Sequence, residues 1–299
     1  MRQEREKDRA LKTDDTAVIS FDLENVITCP KVEISNFFYK RKLTVYNLTG
    51  HVVVNGVKQV YCVIWTECLA GRGGNEIASA LLKIFQDVVL NNPTVQNIIT
   101  WSDSCVSQNR NHFMSTAVMM FLSQNQHIKS VLMKYSIAGH SCVQEVDNVH
   151  SQLEKSFNVS EFFSPLSLIR VILKTNKNKP FRVIQLKNSD CFDFQKSGKP
   201  LNFKGIPYFQ ACALHFRSNS FEVGFKHSFS QADFIYSNTN TKATTRNGRA
   251  CPVTLADLLL NPKPQGLISL SDAKKKDLQS MLKFMPEQDK EYFNTILKI

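Results

Sequence analysis

The sequence holds eight cysteines (positions 29, 62, 68, 105, 142, 191, 212 and 251) but no pair spaced C-x-x-C. That absence excludes a zinc ribbon and a dithiol redox motif. No apolar run approaches the length of a membrane span, so no spanning helix and no membrane partner is expected. The opening "MRQEREKDRALKTDD" has no apolar core segment and therefore does not read as a secretory signal peptide. Low-complexity blocks are missing as well, and 42% of the chain is hydrophobic, which sets disorder aside. Acidic residues are scarce: 26 against 37 Lys and Arg, a net charge of +11. Such a balance favours polyanionic partners, DNA first among them. Most cysteines lie in apolar runs, such as Cys62 in "VYCVIW" and Cys212 in "FQACALHF", where a thiol behaves as a small hydrophobe. A reducing, intracellular location is expected, and the basic charge points to the nucleus.

What is present has a clear order. Residues 1–15 alternate in charge and read as an exposed helical lead-in. "AVISFDLENV" (17–26) reads as a buried strand carrying Asp22 near its end. Two β-rich segments, 41–54 and 59–67, flank Asn55-Gly56, a strong hairpin signal. Apolar residues then shift to helical spacing over 70–92, return to a strand over 95–103, and alternate again as helix (109–125), strand (128–136) and helix (142–159). The order β-β-β-α-β-α-β-α is that of an α/β protein with a ribonuclease-H-like mixed sheet, a generic α/β sandwich being the alternative. In a ribonuclease-H-like sheet the first and fourth strands lie side by side. The expected division is a domain over 16–160, a β-rich appendage over 161–264 and a helical tail over 265–299 broken at Pro286.

The stretch "ITWSDSCVSQNRN" raises the question of chemistry, because a hydrophobic strand runs directly into Asp103. Taken singly, an aspartate at a strand end is usually a cap or a turn residue. Here Asp22 lies on the first strand, Asp103 ends the fourth, and Asp147 follows the fifth. A sheet of this order brings the three together. Three carboxylates cannot remain ionised in a water-poor site without a cation, and hard oxygen ligands suit Mg²⁺ or Mn²⁺. Two such ions would activate a water or a 3′-hydroxyl and stabilise the leaving oxygen of a phosphodiester. Glu76, in the first turn of the first long helix, is a fourth catalytic candidate. Gln108, Asn109 and Arg110, with Asn111, would orient water or grip phosphate, or else cap the following helix. His140 and His150 are candidates for proton transfer or for lining the site, and Glu145 and Glu154 for further ligands. The basic runs "YKRK" (39–42), "KTNKNK" (174–179) and "KKK" (274–276) are candidate phosphate contacts.

The blocks "SFDLENV", "YKRKLTVYNLTGH", "GRGGNEIASALLK", "WSDSCVSQNRN", "GHSCVQEVDNVHSQLEK" and "KKKDLQSMLKFMP" resemble a domain family of unknown function derived from transposable elements. The resemblance spans roughly residues 15–297. It implies kinship with DDE-type transposases and integrases, with Asp22, Asp103 and Asp147 at the acidic positions. Asn75-Glu76, Gln108-Asn109, His140, His150 and Glu154 also match. The family has two glycines where this chain has Val106-Ser107, and its members carry an upstream segment that is expected to read DNA. The implied function is nuclease or strand-transferase action on DNA, in a homo-oligomer as such enzymes commonly work. The alternatives are a domesticated nucleic-acid binder without chemistry, or a protein-interaction scaffold built on the Phe-rich 181–229 region.

Overall fold

A computed structural model describes residues 1–137, 145–240, 243–244, 250–251, 254–255, 258–264 and 266–299, with no side-chain description for 243–244 and 250–251. Helix α1 (Arg2–Arg9) precedes β1 (Thr16–Leu23) and the short β2 (Ile27–Cys29). Strands β3 (Leu43–Val54) and β4 (Val57–Thr66) form the hairpin read from Asn55-Gly56. Both turn residues have positive φ, 48° and 76°, the backbone that a two-residue hairpin with the twist of its strands requires. Then come α2 (Gly74–Asn91), β5 (Asn97–Ser102), α3 (His112–Gln124), β6 (Ser130–Tyr135), α4 (Glu145–Asn158) and α5 (Pro165–Lys174). The element types and order match the sequence reading, with β2 added.

The sheet order is β10-β9-β8-β6-β5-β1-β3-β4-β7, with β2 beside β3, ten strands in all among the described residues. β1 runs antiparallel to β3 and parallel to β5, so the first and fourth strands of the sequence reading are neighbours. β6 continues parallel to β5.

The region after residue 160 differs from expectation. β7 (Arg182–Gln185) adds in parallel to β4 at one edge. After the one-turn α6 (Phe194–Ser197), β8 (Ala213–Arg217), β9 (Glu222–Lys226) and β10 (Ile235–Asn238) extend the other edge from β6. Among the described residues, only the two-residue pair β11 (Ala243–Thr244) and β12 (Ala250–Cys251) stands apart. The β-rich region is therefore part of the same sheet, because β4 and β6 would otherwise leave unpaired backbone edges.

The sheet is covered on both faces. Ile19, Phe21, Leu48 and Val63 share a core with Ile77, Leu81, Ile84 and Phe85 of α2 and Val118 and Phe121 of α3. The opposite face packs Val45, Cys62 and Ile64 against Val149, Leu153 and Phe157 of α4 and Leu168 and Ile172 of α5. The tail forms α7 (Asp272–Met281) and α8 (Glu287–Leu297), with Pro286 at the N-cap of α8 as the break. It packs through Leu278, Met281 and Phe293 on Phe37 and Leu43.

The α2 face is tight at Gly50 on β3, where an added Cβ would lie 2.8 Å from Cδ1 of Ile84. Gly50→Ala is expected to lower the unfolding free energy by about 1–3 kcal/mol through overpacking, measured by urea denaturation. A wild-type midpoint in this variant would show that α2 shifts without cost.

Candidate active site

Alternation along β1 decides which side chains meet α4. Ile19 and Phe21 belong to the α2–α3 core, so Ser20 and Asp22 point to the other face. Ser20 pairs in register with Trp101 on β5, and two residues further that parallel register brings Asp22 alongside Asp103. Across this face runs α4, with Asp147 in its first turn and His150 and Glu154 following on the same stripe.

Asp22 is pushed up to about 7, first by burial, then by the charge of Asp103, with Asp147 adding to it; a hydrogen bond at the Leu23 backbone opposes. Asp103 and Asp147, the other two sequence-predicted aspartates, therefore both act electrostatically on Asp22. Glu24 is also held at about 7, chiefly by burial, with the charge of Glu154 acting in the same direction. Its carboxylate accepts a 2.7 Å hydrogen bond from Nδ2 of the fully buried Asn47, which partly offsets that cost. Glu24 is absent from the sequence reading. The signal was present in "DLE", because carboxylates two residues apart on a strand share a face.

The loop after β5 is built to present Asp103. Its Oδ1 accepts from the backbone N–H of Cys105 at 3.1 Å and from Nδ2 of buried Asn109. Asn111 caps α3, accepting from Met114 N–H at 3.0 Å and donating to the Val106 carbonyl at 2.9 Å. Arg110 is turned inward. It donates to the Ala211 carbonyl at 2.6 Å and the Ser104 carbonyl at 3.1 Å, and lies 5.5 Å from the Tyr135 ring centroid. These contacts give Arg110 the work of fixing the loop, in place of the phosphate grip read from the sequence. Gln108 is half-buried, its backbone N–H donating to the Cys105 carbonyl.

His150 lies beside Asp147 and Glu154; burial lowers its pKa against those two charges. Its Nε2 is buried with no hydrogen-bond partner among the described residues. His140 lies outside the described residues.

Glu76 is not brought to the cluster. It sits on α2, whose core lies on the opposite face, where Oε2 accepts from Gly73 N–H at 2.8 Å and Oε1 pairs with Lys263. Those contacts cap the helix and tie down the chain near residue 263. Two of the basic runs also have internal partners: Arg41 and Lys40 pair with Asp277 at 3.0 and 3.6 Å, and Lys274 with Glu67 at 2.6 Å. They fasten the helical tail to the body instead of facing phosphate.

Helix α1 docks beside the acidic residues through charge. Asp8 accepts from the Trp101 indole N–H at 2.8 Å and pairs with Lys134 at 2.8 Å; Arg5 reaches Glu145 at 2.8 Å and Arg9 pairs with it too. Burial alone would raise the Glu145 carboxyl, but Arg9 and Arg5 bring it down to about 2.

Residues 39–252 match the domain of unknown function DUF7869. The chain belongs to this family. No curated protein and no solved structure matches it. The DUF7869 match takes in Asp103, Asp147, His150 and Glu154, whereas Asp22 and Glu24 precede it and α7 and α8 follow it. The acidic face thus joins DUF7869 residues to a strand outside the matched segment.

The donor set of this face is hard oxygen, suited to a hard divalent ion. Asp22 and Glu24 are both raised first by burial, and neighbouring negative charge adds to it; that added repulsion is what a cation relieves. Among the described residues, no group of three His, Cys, Asp or Glu side chains is already arranged to hold a metal ion. The chemistry of the donors fits such an ion; a closed cage is not preformed.

Proposed function

We propose that this DUF7869 chain is a ribonuclease-H-like, transposase-derived domain that acts on DNA phosphodiesters with Mg²⁺ or Mn²⁺. One observation carries the reading: three aspartates from three elements, a strand, a strand tip and a helix, come within electrostatic reach, so that Asp22, raised to about 7 first by burial, is raised further by the charges of Asp103 and Asp147. The run β4-β3-β1-β5-β6, antiparallel through β3 and parallel from β1 to β6, supports the ribonuclease-H-like arrangement.

Asp22, Asp103 and Asp147 would hold the ions. Bound there, divalent ions supply a nucleophile at neutral pH and charge stabilisation for the leaving oxygen. Asn109 and the Cys105 N–H keep the Asp103 carboxylate aimed, and Arg110 keeps the loop closed behind it. His150, its pKa lowered by burial, lies beside Asp147 and would accept a proton. The net charge of +11 draws a polyanion to the surface.

The test is nicking of labelled supercoiled DNA, with and without Mn²⁺, by wild type and the Asp22→Asn, Asp103→Asn and Asp147→Asn variants. Ion-dependent nicking by wild type, lowered at least about a thousandfold in each variant, is expected for groups acting as one unit. Nicking that survives all three substitutions, or none by a folded wild type, removes the enzymatic reading. In the second case salt-sensitive DNA binding would leave a nucleic-acid binder.

A further inference from the structure

A cavity of about 280 Å³ opens on the α4 face, lined from β3, β4, α4 and the 176–181 segment. Its volume lies just below the roughly 300–1,000 Å³ of drug-sized ligand pockets, a size suited to a small group. Val60, Val149 and Phe181 supply its apolar surface, and Lys58, Lys179 and His51 its basic groups. The one carboxylate on the lining, Glu145, is already engaged by Arg5, Arg9 and the Ser20 hydroxyl. Neither Lys58 nor Lys179 is in an ion pair among the described residues. The cavity therefore carries uncompensated positive charge beside amide groups of Asn148 and Gln152.

We propose that this cavity binds a phosphate group, between Lys58 and Lys179 with His51 and the α4 amides completing the site. Lysines act as compact point charges that suit phosphate. The state of His51 agrees: burial lowers its pKa, and Lys58 and Arg9 push the same way against Glu145, so an anion entering the cavity would raise it.

The position links the cavity to the acidic face. Asn148 and Gln152 point from α4 into the cavity, while the Asp147, His150 and Glu154 stripe runs along the other side of the same helix. As the seat of a strand phosphate next to the reacting one, the site rests on the phosphodiester reading; as an anion site it does not.

Two sources of phosphate, a nucleic-acid strand and a free nucleotide, share this chemistry. The experiment follows the His51 imidazole resonance of the full chain by NMR, without divalent ions, while inorganic phosphate, a mononucleotide or a short single-stranded oligonucleotide is added. Saturable movement of that resonance, with a higher titration midpoint, is expected. The Lys58→Gln/Lys179→Gln double variant alters two exposed side chains and keeps the fold. It should weaken binding by about tenfold or more and flatten its salt dependence. Tighter binding of the oligonucleotide assigns a strand phosphate, and equal or tighter binding of the mononucleotide assigns a free one. An unmoved His51 resonance, or the same affinity in the double variant, overturns the proposal. Because no cleavage is measured, failure of the nicking test leaves this result independent.

Discussion

Asp22→Asn stabilises the fold at neutral and mildly alkaline pH, by up to about 4 kcal/mol, by progressively less as pH falls from about 7, and leaves it nearly unchanged only below the ordinary carboxyl value of 3.8. The figure follows from a carboxyl whose folded pKa is about 7 against an ordinary value of 3.8, at about 1.4 kcal/mol per unit. It is an upper value because Asp22 shares its field with Asp103 and Asp147. The sign follows from proton binding: between pKa values of 3.8 and about 7 the folded chain keeps a proton that the unfolded chain has lost. Stability from this group is therefore full below the unfolded value and is lost as pH rises through about 7. Glu24, raised to about 7 as well, adds to the same slope, and Glu24→Gln should remove its share. Urea unfolding across this pH range measures both. Wild-type and variant curves that stay parallel would show that neither carboxyl holds a raised pKa.

Arg110→Met lowers the unfolding free energy by about 3 kcal/mol and, if the phosphodiester reading holds, lowers nicking with it. The guanidinium makes charge-assisted hydrogen bonds to the carbonyls of Ala211 and Ser104, and the methionine leaves both without that donor. A buried carbonyl stripped of its partner costs about 1–3 kcal/mol; that of Ala211 is buried and that of Ser104 partly so. Methionine replaces some of the packing on Tyr135 but not the cation–π contact. Because Ser104 adjoins Asp103, the loosened loop should also show faster amide exchange over 103–110. Unfolding at the wild-type midpoint, or loss of nicking without loss of stability, would return Arg110 to the role of phosphate ligand.

Much of the sheet was legible because its signals are local. Asn55-Gly56 fixed the hairpin through backbone preference alone, and the shift from alternating to helical spacing located α2, α3 and α4. The placement of β1 beside β5 followed from connection rules. By contrast, β7 and β8 find their partners on β4 and β6 far back in the chain, and nothing in a short segment says which sheet edge is free. That is why residues 161–264 resembled an appendage.

The site divided along the same line. Asp22, Asp103 and Asp147 were readable because each sits at a recognisable point of an element. Glu76 looked equivalent, but its partner Lys263 lies 187 residues away and on the other face of the sheet the helix turns it from the cluster. Arg110 and the basic runs at 39–42 and 274–276 were read as phosphate contacts, since a sequence shows charge but not the carbonyl of residue 211 or the carboxylates of Asp277 and Glu67. Glu24 was passed over although strand alternation places it with Asp22.

The most direct test of the acidic face is a Mn²⁺ titration followed by the EPR signal of the free ion, at a pH above the raised value of Asp22. Wild type is expected to take up Mn²⁺ saturably, more tightly as pH rises through about 7 and the carboxyl ionises. Asp22→Asn and Asp103→Asn should each abolish that uptake while remaining folded. A free-ion signal identical to buffer alone, or uptake that both substitutions leave intact, would contradict a divalent-ion site at Asp22, Asp103 and Asp147.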